Sequence, residues 1–221
     1  MGGYNYDWSI ISKNIDVFID GALKTLEISA IALLIAIPIG IIFGLGRISR
    51  NKFIRIISSI YVEVMRGVPL LVLLFWIFFV LGQFVRLGSY WAAILGLAIF
   101  SGAFIAEIVR SGIQAVPKGQ MEAARSSGMS HTNAMRFIVL PQAFRRVLPP
   151  LASQFIILVK DSSLVSVIAA TDLTLNAKNL VATSFRSLEV WTVVAIVYFI
   201  MTFSMSMIIR YFEKRLLSRE N

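Results

Sequence analysis

The 221-residue sequence contains no cysteine and a single histidine, His131. The first absence excludes disulfides, thiolate metal sites and thiol nucleophiles. The second leaves little material for a metal centre or a Ser/His pair, and no metal-binding residues are assigned. There is no GxxxxGK[ST] phosphate loop, so the chain cannot hold ATP in that manner. HExxH and paired catalytic histidines are absent, which leaves an intramembrane enzyme without a catalytic constellation. Lys160 beside Asp161 and Ser162 lacks the supporting motif that a serine–lysine enzyme needs. The N-terminal stretch MGGYNYDWSIISKNID has no basic region followed by a short apolar core, and it is not read as a cleavable signal. Low-complexity tracts and internal repeats are not evident.

Apolar sequence is what the chain has in excess. Hydrophobic residues make up 57% and charged residues only 15%. The mean hydropathy is +0.80. Soluble domains are about 45–50% apolar, and here the surplus lies in long runs, as bilayer-facing surface does. One domain, residues 1–221, holds five candidate spans at about 22–46, 53–85, 89–110, 147–170 and 189–210. In the first, Ala36, Gly40 and Gly44 recur every four residues, a stripe suited to close helix packing. The second would reach ~50 Å as one helix, more than the ~30 Å hydrocarbon layer. It is interrupted by RGVP, Arg66–Pro69, which predicts a break.

The net charge is +9. Its positions between apolar runs favour a topological role over nucleic-acid binding. Fourteen Lys and Arg residues fall on one set of inter-span segments, including Arg47, Arg110 and Arg219, against five on the other. That bias predicts an outer N-terminus and a cytoplasmic C-terminus. It also places a polar loop at about 115–141, which contains KGQMEAARSSGMSHTNAMRFIVLP from Lys118 to Pro141, in the cytoplasm. Pro117 suits a first helical turn, QMEAARSS a short helix, and Gly128 the left-handed position that ends it. Ser130 can cap a second helix over Asn133–Leu140 that meets Pro141.

Within this loop Glu122-Ala123-Ala124, Gly128, Ile138 and Leu140-Pro141 fall at the separations of the EAA loop of ABC importer permeases, which the sequence resembles. YVEVMRGVPLLVLLFW, FIAEIVRSGIQAVPKGQMEAARSSGMS, LPQAFRRVLPPL and KDSSLVSVI look like the polar amino-acid uptake branch. The resemblance implies an all-α integral membrane protein: five transmembrane helices with short cytoplasmic coupling helices, the type I importer core. It implies a second, identical or similar permease subunit, two ATPase subunits that bind ATP and magnesium, and an extracytoplasmic amino-acid-binding protein. Glu122, Ala123, Ala124, Arg125, Gly128 and Met129 would contact the ATPase. No cofactor is expected in this chain.

Ionisable residues inside spans are functional-site candidates. Glu63 and Arg66 are three apart, share a helix face and are expected to pair. With Gly67 and Pro69 they border the break, where a half-helix starting after Pro69 could receive a substrate carboxylate. Asp161, beside Ser162 and Ser163, is expected about midway along the fourth span. Glu107 and Arg110 form a gate or a helix-end ion pair, and Lys24 and Glu27 snorkel. Structural ion pairs remain the competing explanation for these charges. Two acids near the pathway tilt the substrate toward arginine, lysine or histidine. A glutamine or glutamate substrate is the alternative, and a channel or secondary carrier the rival from another class. A purely structural membrane subunit is a further possibility.

Overall fold

The computed structural model describes residues 5–217. Ten α-helices follow in chain order: α1 (Ser9–Lys13), α2 (Ile15–Arg47), α3 (Lys52–Gly67), α4 (Leu70–Phe75), α5 (Ser89–Gln114), α6 (Lys118–Ser126), α7 (His131–Ala134), α8 (Leu140–Asp161), α9 (Leu173–Ser184) and α10 (Ser187–Leu217). π turns occupy Trp76–Val80 and Met135–Val139, and 3-10 turns Leu81–Gln83 and Ser162–Ile168. Four helices are long and apolar enough to cross a membrane, or five if the broken pair Lys52–Gly67 and Leu70–Gln83 counts as one span. Arg219 of the charge count, and residues 1–4 of the N-terminal stretch, lie outside the described residues.

The break at RGVP follows from proline chemistry. Val68 is extended, with φ −96° and ψ 131°, as a residue before proline prefers. α3 therefore stops at Gly67 and a new helix begins at Leu70. The start of α3 is set by Asn51, whose side-chain oxygen accepts from Phe53 N at 2.9 Å.

The helices group into two compact units. One is built from the chain up to Leu33, Leu70–Leu97 and Ile156–Met207. Its core packs Phe18, Leu173, Ala177, Leu180, Val190 and Val194 together. The fully buried Thr25 accepts the Leu173 N–H at 3.1 Å. Gly21 lets α9 approach: a Cβ there would meet Leu173 Cα at 2.7 Å. α9 itself was not anticipated between the fourth and fifth spans. It is capped by the fully buried Asp172, whose Oδ1 accepts from Leu175 N at 2.8 Å. Burial raises the Asp172 carboxyl above its ordinary range, against the lowering effect of those bonds.

The other unit holds Leu34–Pro69, Ala98–Phe155 and the chain from Ile208. Here the small-residue stripe is a packing seam. Ala36 is fully buried, and a Cβ on Gly40 would stand 2.3 Å from Ile105 Cγ2. The Tyr61 hydroxyl donates to the Ile99 carbonyl at 2.6 Å, tying α3 to α5. Large side chains such as Leu34, Ile42 and Ile208 are exposed, as apolar residues facing hydrocarbon are.

Candidate functional site

The polar loop is a built structure. Pro117 is extended (ψ 133°) and caps α6 from one position before its first turn. At the other end the Gly128 N–H donates to the Arg125 carbonyl at 3.1 Å and the Met129 N–H to Ala124 at 3.2 Å. This pair of bonds is the Schellman closure, which requires a left-handed residue. Gly128 supplies it with φ +86°. The Arg125 guanidinium donates to the Met129 carbonyl at 3.0 Å and braces the elbow from outside. Ser130 Oγ then accepts from Asn133 N at 3.2 Å to start α7. Ala124 and Ala134 are buried, whereas Glu122, Ala123 and Arg125 are exposed.

Pro141 does not end the second helix, contrary to expectation. His131–Ile168 is one 38-residue helical run. Proline's ring would crowd the carbonyl four residues back, that of Phe137. The π turn over Met135–Val139 widens the helix at that place and lets it continue. The Gln142 carboxamide donates to Ile138 O at 3.0 Å and Gln120 Oε1 at 3.2 Å, fastening α6 to this run. The Arg146 guanidinium donates to the Ala115 carbonyl.

A second cluster joins four charges. Arg47 Nη1 donates to Glu107 Oε2 at 2.7 Å, and its Nη2 to Glu63 Oε1 at 3.1 Å. Arg110 Nε lies 3.1 Å from both Glu107 oxygens. Glu63 is therefore not paired with Arg66. Arg47 reaches it from the end of α2, and Arg66 instead lies over the Phe104 ring at 6.0 Å. The pair on one helix face gives way because the two terminal nitrogens of Arg47 each donate to a different carboxylate.

A family model described as "Binding-protein-dependent transport system inner membrane component" matches residues 36–218. The chain belongs to this family. It is an inner-membrane permease subunit of an ABC transporter, a transport component and not the ATPase.

The permease is 38% identical over 214 residues to the glutamine transport system permease protein GlnP of Escherichia coli (strain K12), covering 96% of this chain and 98% of GlnP. It is 41% identical to the probable glutamine ABC transporter permease protein GlnM of Bacillus subtilis (strain 168), over 94% of this chain and 97% of GlnM. A solved amino acid ABC transporter with histidines contains a similar chain, with TM-score 0.92 and 40% identity, covering 96% of the permease and 100% of that chain.

The remaining expected residues fall as follows. Asp161 is the last residue of α8, at a junction where the α-helix tightens to a 3-10 turn, not the middle of a regular helix. The turn ends at Ala169, which is left-handed with φ 56°. Asp161 is half-buried and makes no hydrogen bond or ion pair among the described residues. The Ser162 and Ser163 hydroxyls each donate at 2.8 Å to carbonyls three residues back, Val159 and Lys160, which leaves them as acceptors. Gly67 and Pro69 are exposed. The half-helix after Pro69 runs six residues before its π turn. Lys24 and Glu27 pair at 2.7 Å, and Tyr90 donates to Glu27 at 2.6 Å.

Sequence reasoning missed Arg47, treated only as a topological charge, and Gln154. The signal for Gln154 is an amide that, with Ser153 beside it, interrupts a mostly apolar stretch of the fourth span.

Proposed function

We propose that the permease, with a second identical or similar subunit, forms the translocation pathway of an ATP-driven importer for polar amino acids of the glutamine type. Its N-terminus is outside and its C-terminus cytoplasmic. The α6–α7 elbow docks on a cytoplasmic ATPase, which binds ATP and magnesium, through Glu122, Ala123, Arg125, Gly128 and Met129, with Ala124 anchoring the surface from within. An extracytoplasmic binding protein delivers the amino acid. Glu63, Arg66, Gly67, Pro69, Asp161, Ser162 and Ser163 line the path, and Glu107 with Arg110 act in its gate. The observation that carries the coupling role is the pre-shaped, uncovered edge of α6, closed by its own backbone bonds. A rigid edge of this kind transmits motion.

The glutamine assignment is supported by the names of GlnP and GlnM and by the commitment of Glu63 to Arg47, which takes one carboxylate out of reach of a cationic side chain. A basic substrate is the second reading. It is favoured by unpaired Asp161 and by the histidines of the solved relative.

The test is uptake by the permease reconstituted in vesicles with its ATPase and binding protein. Glutamine uptake that requires ATP and is competed weakly by arginine supports the first reading. Stronger competition by arginine or histidine supports the second. Uptake without the ATPase would overturn the importer reading in favour of a channel or carrier.

A further inference from the structure

Arg66 stands out among the charges of its unit. Arg47, Glu63, Glu107 and Arg110 are joined by ion pairs, two of each sign. Arg66 has the Phe104 ring at 6.0 Å and no hydrogen bond or ion pair among the described residues. The cluster therefore carries one positive charge too many, and that charge is Arg66. Arg66 is exposed at the end of α3, so this surplus charge is open to a ligand instead of being spent inside the packing.

Beside Arg66 opens a cavity of about 260 Å³, lined also by Phe104, Glu107, Ile108, Ser111 and Gln154. Glu107 is held by two arginines, and the Ser111 hydroxyl donates to the Ile108 carbonyl at 3.1 Å. Gln154 is different. It is only 5% exposed, yet its carboxamide has no hydrogen-bond partner among the described residues. Its polar atoms are not sealed in the packing, as Ser101 Oγ is; they open onto the cavity with two N–H donors and an acceptor to offer. At ~30 Å³ per water of liquid volume, the cavity spans roughly nine waters, the scale of an amino acid of about ten heavy atoms.

One small ligand answers both deficits. We propose that Arg66 and Gln154 form a way-station for the backbone end of the transported amino acid. The Arg66 guanidinium donates to the α-carboxylate, and the Gln154 carbonyl oxygen accepts from the α-ammonium. Glu107, already neutralised by Arg47 and Arg110, exerts no strong pull on the ammonium, so the pair recognises what all α-amino acids share. Selection among side chains then lies elsewhere. The inference rests on the amino-acid reading given above.

The experiment uses the whole transporter in vesicles and measures glutamine imported per ATP hydrolysed, with ATPase stimulation by the loaded binding protein as a separate readout. Arg66→Gln removes the cation. Gln154→Glu supplies a carboxylate that occupies Arg66 in place of substrate. Both are expected to lower glutamine per ATP at least tenfold while stimulated ATPase activity stays within about twofold. Arg66→Lys should restore a third or more of the transport. Unchanged glutamine per ATP in Arg66→Gln and Gln154→Glu would overturn the proposal. So would a loss of stimulated ATPase activity in step with uptake in all three variants, since that marks a structural role. A wild-type transporter that imports no amino acid would overturn the amino-acid reading itself.

Discussion

Arg47 and Glu107, sixty positions apart in sequence, meet at 2.7 Å between Nη1 and Oε2. The two side chains are 15% and 25% exposed, so solvent screens them only in part. Arg47 also touches Glu63, which is 64% exposed.

Replacing Arg47 with alanine should therefore act unequally on its two acids. The loss is expected at about 1.5–3 kcal/mol, the range for hydrogen bonds to charged groups, and most of it should couple to Glu107. Double-mutant cycles by thermal unfolding in detergent check this. Arg47→Ala with Glu107→Ala should show a larger interaction than Arg47→Ala with Glu63→Ala, for which under about 1 kcal/mol is expected.

Gly128→Val should strain the elbow. Nothing lies within 4 Å of a Cβ placed there, so the whole effect comes from the φ of +86°. A β-branched residue in that conformation costs on the order of 1–3 kcal/mol, and asparagine less. ATP-driven uptake should fall severalfold in Gly128→Val and recover most of the way in Gly128→Asn. Equal uptake by both variants would show that the left-handed turn does not matter to coupling.

Gly40→Ala should disturb the seam between α2 and α5, because its Cβ meets Ile105 Cγ2 at 2.3 Å. Overpacking of this kind costs about 1–3 kcal/mol. The clash includes Ile105 Cβ at 2.5 Å, which alanine would keep, so the thermal stability that Gly40→Ala loses should be partly recovered when the change is made in an Ile105→Gly background. Failure to recover any would place the clash elsewhere.

Asp172 gives a pH dependence. Its carboxyl lies above the ordinary aspartate value of 3.8 in the folded protein because it is buried. The folded state thus binds its proton more tightly than the unfolded state does. Its contribution is fully present below 3.8 and is lost as pH rises through the raised folded value. Asp172→Asn keeps an oxygen for the Leu175 N–H and removes the titration. Thermal unfolding from acid to neutral pH should show the wild type losing stability relative to Asp172→Asn as pH rises. Parallel curves would refute this.

The parts legible in the sequence are those with local causes. Pro69 breaks a helix because it lacks an N–H. Gly128 ends one because only glycine takes φ +86° freely. The small stripe at Ala36, Gly40 and Gly44 predicts a close neighbour, though not that Ile105 provides it. Partners across long separations were not legible. Glu63 and Arg66 match by spacing, but α2 brings Arg47 to Glu63, and no local pattern announces that. α9 escaped for a related reason: LTLNAKNLVATS is too polar and too short to read as a span, and its helix is defined by Asp172 and by packing on Phe18. The continuation through Pro141 was hidden because a π turn leaves no sequence signature beyond the proline it accommodates.

That continuation has a mechanical consequence. Ser130 starts a single rod, and Gln154 lies 24 residues along it, roughly 36 Å at 1.5 Å per residue. A push on the elbow needs no relay of loosened loops to be felt at Gln154. It arrives as axial thrust or rotation of one bar, softened at the π turn over Met135–Val139 and where Pro141, Pro149 and Pro150 remove hydrogen bonds from its wall.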